Sequence, residues 1–247
     1  MRKIIINGAT NGLGKALVKH FSDKDDELIC IGKNKKKMQV LIDETIKKHS
    51  YFSGDLLIDK NLKILISKLS KLKKIDAVIH CMGGGLGLKD DLISKSDFLK
   101  LFNTNLFVQS EINNFLIKKS INEKRRLKII HISSIASIEN VASVGYSTVK
   151  AALNVYSNIL SKKFITKNID VKNIILGAFE TKDNSFARLR KKNIKAYKEF
   201  KNKRMPLKRY NTVEEISPVI DFILDKDSNV ISGDIIIDNK EKNSFRN

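Results

Sequence analysis

Tyr146 and Lys150 stand four residues apart, with Tyr146 twelve residues downstream of Ser134 in the pair Ser133-Ser134. On a helix, positions i and i+4 share one face, so a phenol and an ammonium there can meet one substrate from one side. A phenol has a reference pKa of about 10 and is a poor acid or base at neutral pH. A neighbouring ammonium favours the phenolate and lowers that pKa, which suits a proton-transfer group. A serine at the end of a preceding strand can hold a carbonyl or hydroxyl in place. Tyr and Lys at this spacing also arise on solvated helix faces of lysine-rich chains. This chain holds 47 Lys and Arg, so the pair needs support from the elements that would position it.

That support lies at the N-terminus. Lys3 to Ile6 is a short apolar run, Asn7-Gly8-Ala9-Thr10-Asn11-Gly12-Leu13-Gly14 follows, and Lys15 to Phe21 reads as a helix. Strand, glycine-rich turn and helix together place a phosphate at a helix N-terminus. Glycine permits positive φ and lets the backbone approach a ligand. The spacing is G-x-x-x-G-x-G, unlike the commoner dinucleotide pattern G-x-G-x-x-G. A plain tight turn would use the same glycines; the position directly after the first strand favours phosphate.

With these segments the chain resembles the short-chain dehydrogenase/reductase family, nearly end to end. Gly8, Gly12 and Gly14 match its coenzyme-loop glycines. Asp55-Leu56 matches the acidic residue placed near the adenine. His80-Cys81-Met82-Gly83 stands where the family has Asn-Asn-Ala-Gly, and only Gly83 is kept. Asn105 matches the helix asparagine of the catalytic tetrad, Ser134 its serine, and Tyr146-Ser147-Thr148-Val149-Lys150 its Tyr/Lys motif. Leu176-Gly177-Ala178-Phe179-Glu180-Thr181 matches Pro-Gly-x-x-x-Thr without the proline. The stretch Arg204 to Arg209, Glu214-Glu215-Ile216 and Ser232-Gly233-Asp234 match C-terminal landmarks. Asp238-Asn239-Lys240 lacks the paired glycines common after that final aspartate.

At 247 residues and 42% hydrophobic content the chain can bury a full core. Apolar runs at Lys3–Ile6, Leu28–Ile31, Ala77–His80, Lys128–Ile132, Val171–Leu176 and Ile235–Ile237 alternate with helical spacing at Leu62–Leu72, Phe98–Ile117 and Lys150–Phe164. Alternation of this kind predicts an α/β fold of parallel strands with right-handed crossovers. Uninterrupted apolar runs suit strands covered on both faces. The expectation is one Rossmann-type doubly wound domain over 1–247, with 182–205 as a substrate-covering segment within it.

Met1-Arg2-Lys3 and three isoleucines mimic the start of a signal peptide, but the apolar stretch ends at Asn7-Gly8. No run of about 18 apolar residues exists, so neither a membrane span nor export is expected, and the protein is read as cytoplasmic. Cys30 and Cys81 look like small core hydrophobes, not a disulfide framework. His20, His49, His80 and His131 have no metal-ligand spacing, so no metal is expected. His131 reads as structural, and His80 stands where the family has an asparagine bracing the sheet.

The net charge of +20 would allow phosphate neutralisation. Only eight of the 47 basic residues are Arg, and aromatics are not interleaved with them, so stacking on bases is poorly served and no nucleic-acid partner is expected. A basic run, Arg188-Leu189-Arg190-Lys191-Lys192, continues through Lys195, Lys198, Lys201 and Lys203-Arg204 within the covering segment. Such a lid suits an anionic substrate or an acidic carrier protein; a solvated lysine face has the same composition.

A carboxylate at the end of the second strand would bond the ribose 2′-hydroxyl of NAD. Here the chain reads Cys30-Ile31-Gly32-Lys33-Asn34. A lysine pairs with a phosphate as a point charge, and Asn34 can add a hydrogen bond, so NADP(H) is expected over NAD(H).

The resemblance implies hydride transfer between a nicotinamide and a carbonyl or secondary alcohol. Tyr146 would move the proton. Lys150 would lower the Tyr146 pKa and hold the nicotinamide ribose. Ser134 would bond the substrate oxygen, and Asn105 would kink its helix and anchor a water. Gly8, Thr10, Asn11, Gly12, Leu13, Gly14, Lys33, Asn34, Asp55, Leu56, Gly83, Gly177, Phe179 and Thr181, with Tyr146 and Lys150, would line the coenzyme. The substrate is a small carbonyl or alcohol, a 3-oxoacyl thioester on an acyl carrier protein being one case. A sugar or nucleotide-sugar in surface polysaccharide synthesis is the alternative, and a non-catalytic coenzyme-binding sensor is a third reading. A homotetramer or homodimer is expected, built through the helices of 98–117 and 150–164.

Overall fold

A computed structural model of the protein describes residues 1–45, 49–139, 141–225, 228, 231 and 233–241; Ser232 lies outside the described residues. Seven strands form one sheet: β1 (Lys3–Asn7), β2 (Glu27–Gly32), β3 (Ser50–Ser53), β4 (Ala77–His80), β5 (Leu127–Ser134), β6 (Ile169–Leu176) and β7 (Asp234–Ile237). Their order is β3-β2-β1-β4-β5-β6-β7 and every pairing is parallel. The helices are α1 (Gly12–Ser22), α2 (Lys35–Asp43), α3 (Asp59–Ser70), α4 (Lys95–Phe102), α5 (Val108–Asn122), α6 (Ala136–Glu139), α7 (Val144–Phe164), α8 (Ser185–Lys192), α9 (Ile194–Arg204) and α10 (Val213–Leu224). The architecture is the Rossmann-type doubly wound α/β fold that the alternating pattern predicts.

The isoleucine-rich strands explain the two-sided burial. Side chains alternate across a strand, so Ile4 and Ile6 of β1 enter one core while Ile5 enters the other. The first core joins them to Leu17 and Phe21 of α1, Met38 of α2 and Ile216, Ile220 and Ile223 of α10. The second joins Ile5 to Leu65 and Leu69 of α3 and Ile112 and Leu116 of α5. With about 0.8 kcal/mol per buried CH2, these runs supply the main force that holds the sheet between two helical layers.

Two expectations change in detail. Ser50–Ser53 is a strand that no apolar run marks; it lies at the sheet edge, and only Phe52 of its four residues is buried. The helix expected over Phe98–Ile117 is broken by a π-helical turn, Asn103–Phe107. Such turns insert one extra residue into a helix and re-aim its side chains, and this one is centred on Asn105.

Candidate active site

The sheet order reverses at β1, with β2 on one side and β4 on the other. Open α/β sheets bind ligands beyond the carboxyl ends of their strands at such a switch point. The Asn7–Gly14 loop leaves β1 there. Gly8 has φ of +88°, and a side chain on it would place Cβ 2.6 Å from the Met82 amide nitrogen. A Cβ on Gly14 would lie 2.2 Å from the Gly8 carbonyl oxygen. These two glycines let the loop fold flat against the end of β4. At Gly12, with φ of +52°, the space is open. Thr10 and Leu13 are buried, and Asn11 precedes α1 as its cap residue in extended conformation.

The first amide of α1 is engaged by an anion. Gly12 N–H donates to Asp183 Oδ1 at 2.9 Å, and the Thr181 hydroxyl reaches the same oxygen at 3.4 Å. A carboxylate therefore stands where a helix N-terminus attracts negative charge. The occupied amide and the glycine cradle fit a coenzyme pyrophosphate.

Tyr146 and Lys150 emerge from the first two turns of α7. The Lys150 ammonium is buried, donates to the Ile132 carbonyl at 2.8 Å, and lies 5.8 Å from the centre of the Tyr146 ring. Burial pulls its pKa down to about 8. Burial also raises the Tyr146 phenol, while a hydrogen bond with the Ser134 side chain pulls the other way. The lowering expected from Lys150 is not found: loss of hydration dominates, and the serine is the group opposing it. Ser134 ends β5, where its Oγ accepts from Ala136 N–H at 3.2 Å. Asn105 is fully buried. Its Nδ2 donates to the Leu101 carbonyl at 2.9 Å and the Gly84 carbonyl at 3.1 Å, and its Oδ1 accepts from Gly84 N–H at 2.9 Å. Its carboxamide is therefore committed to the backbone: it takes a helical carbonyl in the π turn and pins the loop after β4. A Cβ on Gly83 would come within 2.7 Å of Asn105 Oδ1, which explains why this glycine survives when the three residues before it differ.

The segment after β6 closes the site. Gly177 N–H donates to the Ile237 carbonyl at 2.9 Å, and a Cβ there would meet Asp238 Cα at 2.6 Å. Phe179 bridges to Asn211, and Thr181 reaches toward Gly12. Within 182–205, Phe186, Tyr197 and Phe200 pack on Ala178, Met205 and Tyr210. Arg204 ties this segment down through Glu139 and Glu241, each at 2.9 Å.

Lys33, Asn34, Asp55 and Leu56 form a separate group at the ends of β2 and β3. Lys33 Nζ lies 2.6 Å from Asp55 Oδ2, which holds the carboxyl below its usual range. Asn34 caps α2, accepting from Lys37 N–H at 2.9 Å. Lys37 in turn donates from Nζ to Asn11 Oδ1 at 2.9 Å. Lys37 was hidden in the run Lys35-Lys36-Lys37; its signal is the position three residues beyond a capping asparagine. Asp183 has no sequence signal beyond its place two residues after Thr181.

Beneath the site, His80 and His131 stack at 5.3 Å between ring centres. Asn113 Oδ1 lies 2.9 Å from His80 Nε2 and Asn113 Nδ2 lies 2.9 Å from His131 Nε2; Ser157 Oγ lies 2.8 Å from His131 Nδ1. Burial pulls His80 down to about 4 and His131 well below its usual value, so both are neutral braces. Cys30 and Cys81 are unpaired, and loss of hydration pushes both thiols up to about 12. Among the described residues no cluster of His, Cys, Asp and Glu could hold a metal ion, and no helix is long and apolar enough to cross a membrane.

A family model described as short chain dehydrogenase matches residues 2–192. The chain belongs to the short-chain dehydrogenase family, whose members are oxidoreductases. Among curated proteins it is similar to the 3-oxoacyl-[acyl-carrier-protein] reductase of Aquifex aeolicus (strain VF5), 25% identical over 241 residues covering 94% of this chain and 93% of that one. The corresponding reductase of Rickettsia conorii is 28% identical over 240 residues, 94% of this chain and 92% of that one. Among solved structures, an NADPH-dependent reductase involved in bacilysin biosynthesis superposes with a TM-score of 0.88 at 21% identity, covering 98% of this chain and 99% of the other. A 4-hydroxyisoleucine dehydrogenase complexed with NADH superposes at 0.87 and 21% identity, covering 97% and 98%. At these identities the structures speak to the fold alone.

Proposed function

We propose that the protein is an NADP(H)-dependent oxidoreductase acting on a carbonyl or secondary alcohol, with a 3-oxoacyl thioester on an acyl carrier protein as its favoured substrate. The observation that carries this reading is the buried Lys150 ammonium 5.8 Å from the centre of the Tyr146 ring, with the Ser134 side chain drawing the phenol down against the effect of burial. When bound, the nicotinamide supplies or accepts the hydride. Tyr146 gives the proton to the carbonyl oxygen in reduction, and Ser134 donates a hydrogen bond to the same oxygen, so two donors meet the developing negative charge. Lys150, one helical turn on, keeps a positive charge beside the phenol and holds the nicotinamide ribose. Asn105 shapes the floor of the site through Gly84. Gly8, Gly12 and Gly14 bring the α1 amides to the pyrophosphate; Thr10, Asn11 and Leu13 shape that loop. Gly83, Gly177, Phe179 and Thr181 border the nicotinamide end, and Asp55 and Leu56 the adenine.

The preference for NADP(H) is supported by the end of β2, which carries Lys33 and Asn34 and no acid. Lys33 is 76% exposed at its side chain, and Lys37 stands against the coenzyme loop at Asn11. The carrier-protein substrate is supported by the relatives' names and by exposed Lys191, Lys192, Lys195 and Lys198 on the face of residues 182–205. Residues 1–247 act as one cytoplasmic coenzyme-binding unit. Phe107, Val155 and Ile159 are 42%, 60% and 48% exposed on the helices of 98–117 and 150–164, the helices through which a homotetramer or homodimer that sedimentation would count is read to assemble. The deciding assay offers acetoacetyl thioesters beside keto-sugars and nucleotide-keto-sugars, each with NADPH and with NADH. Turnover of the thioester with NADPH is expected. Turnover of a keto-sugar alone moves the protein to polysaccharide chemistry, and coenzyme binding without turnover of any of them makes it a sensor.

A further inference from the structure

Behind the Tyr146 face lies a polar cluster that the reaction above does not use. Asn154 stands on α7 one turn beyond Lys150 and two beyond Tyr146, so the three side chains leave one side of the helix. It is 7% exposed, and its carboxamide makes three side-chain hydrogen bonds. Oδ1 accepts from Ser133 Oγ at 2.5 Å and from Asn173 Nδ2 at 2.9 Å, while Nδ2 donates to Ser137 Oγ at 2.7 Å. Ser137 Oγ then donates to the Ser134 carbonyl at 2.6 Å. The orientation of the amide is forced: turned over, it would face the Asn173 N–H groups with its own. Asn173 is itself held, donating to Asp234 Oδ1 at 2.7 Å. One side chain of α7 therefore grips the turn after β5 on both sides of Ser134.

Tyr146 and Lys150 share a rigid helix, so their relation to each other needs no further support. Ser134 belongs to a different element, the end of a strand, where the chain turns away from the sheet. A catalytic constellation spread over two elements holds its geometry, to within about 0.5 Å, only when neighbouring hydrogen bonds lock it. We propose that Asn154 is the positioning residue that sets the Ser134 hydroxyl against the Tyr146 phenol, by clamping the 133–137 turn to the helix that carries Tyr146 and Lys150. The proposal rests on the roles given to Ser134 and Tyr146 above. Asn154 touches neither substrate nor coenzyme; it acts through the serine.

A double-mutant cycle separates positioning from simple structural support. Wild type, Ser134→Ala, Asn154→Leu and the double variant are assayed with an acetoacetyl thioester and NADPH. Leucine keeps the volume of the asparagine and removes its hydrogen bonds. Asn154→Leu lowers kcat about tenfold, short of the roughly hundredfold that a 1 Å misplacement can cost, with KM for NADPH within about twofold of wild type. Added to Ser134→Ala it costs less than about twofold more, because what it provides is already lost. Losses that multiply overturn the proposal, since Asn154 then supports the fold independently of the serine. A second readout needs no substrate: the Tyr146 phenol is titrated by its near-ultraviolet absorbance, as a difference against Tyr146→Phe. Ser134→Ala and Asn154→Leu both raise that titration; a rise with the first and none with the second overturns the clamp. Should Asn154→Leu lose its thermal transition, Ser137→Ala, which removes one arm only, runs the same cycle with a loss of about threefold. A wild-type protein that binds NADPH yet turns over no probe refutes the proposed function, and the phenol titration still decides the clamp.

Discussion

The Asp183 carboxylate accepts a hydrogen bond from the Gly12 amide at 2.9 Å, across 171 residues of sequence. Gly12 opens α1, so this acid sits on the partial positive charge that the coenzyme pyrophosphate would use. Asp183 also begins the segment that runs through α8, and Arg188 binds its carbonyl at 2.7 Å. On the proposed reading, coenzyme entry displaces the carboxylate. A hydrogen bond to a charged group is worth about 1.5–3 kcal/mol, part of which is regained by hydration of the freed acid. We expect Asp183→Ala to bind NADPH about three- to tenfold more tightly, since 1.4 kcal/mol is a factor of ten. Fluorescence titration of NADPH measures this; unchanged or weaker binding would show that the acid and the phosphate do not compete.

Replacing Tyr146 by Phe removes one hydroxyl and leaves the ring. On the proposed reading kcat falls at least about a hundredfold, the usual span for lost acid-base help, while the NADPH dissociation constant stays within about threefold. In the wild type, Lys150 is held to about 8 by burial, so its ammonium is the charged form below that pH and is lost above it. Reductase activity should therefore decline as pH rises through about 8 in the coenzyme-free enzyme's kcat/KM profile. A flat profile from pH 7 to pH 10 would remove the ammonium from the mechanism.

Lys37, in the first turn of α2, reaches the coenzyme loop at Asn11, and Lys33, at the end of β2, pairs with Asp55 with most of its side chain exposed. Neither has a use for a bare 2′-hydroxyl. The variant with both changed to Ala should weaken NADPH at least about tenfold, given about 1.5–3 kcal/mol for a charged hydrogen bond, and should leave NADH within about twofold. Equal losses for the two coenzymes would remove the 2′-phosphate from the account.

Gly12 and Gly14 part company on substitution. A Cβ on Gly14 meets the Gly8 carbonyl at 2.2 Å, whereas Gly12 has room and only a φ of +52° to contend with. Left-handed backbone costs a non-glycine residue about 1–2 kcal/mol, and the Gly14 clash must instead move the coenzyme loop, with overpacking typically costing about 1–3 kcal/mol. Gly14→Ala should abolish coenzyme binding and lower Tm, and Gly12→Ala should lower Tm by less and still bind. Thermal melts with and without NADPH distinguish the two.

His80 ionises at about 4 in the folded chain against 6.5 when unfolded. Between those values the unfolded chain binds the proton and the folded chain does not, so stability is lost as pH falls from 6.5 toward 4. At about 1.4 kcal/mol per unit, the loss from His80 is on the order of 3 kcal/mol, and His131, lowered in the same direction, adds to it. Urea midpoints at pH 7 and pH 4.5 should differ less for His80→Asn than for wild type. Parallel shifts would mean that other groups govern the acid limb.

Much of the fold was legible because its strands are buried on both faces and its helices on one. Six of the seven strands coincide with apolar runs; β3 escaped because an edge strand with one buried residue writes almost no hydrophobic signal. The helix over Phe98–Ile117 was legible as helical, but its π turn was not: that depends on Asn105 finding Gly84, a loop residue 21 positions away. Among the candidate site residues, the glycines, Ser134, Tyr146 and Lys150 could be marked in advance because local spacing constrains them. Asp183, Lys37 and Asn154 could not, since an acid, a lysine in a lysine run and a helical asparagine acquire meaning only from what they touch.

Covalent order alone settled the layer architecture, the family and the helical spacing of phenol and amine, because periodicity and motif intervals are properties of the chain. Folding decided the charge balance at the site. Burial, which no local pattern encodes, pulls Lys150 down to about 8 and leaves Ser134, not Lys150, opposing the rise of the Tyr146 phenol. The hydration of an ionisable group is set by every element packed around it, and those elements are here the end of β5 and the loop that follows β4.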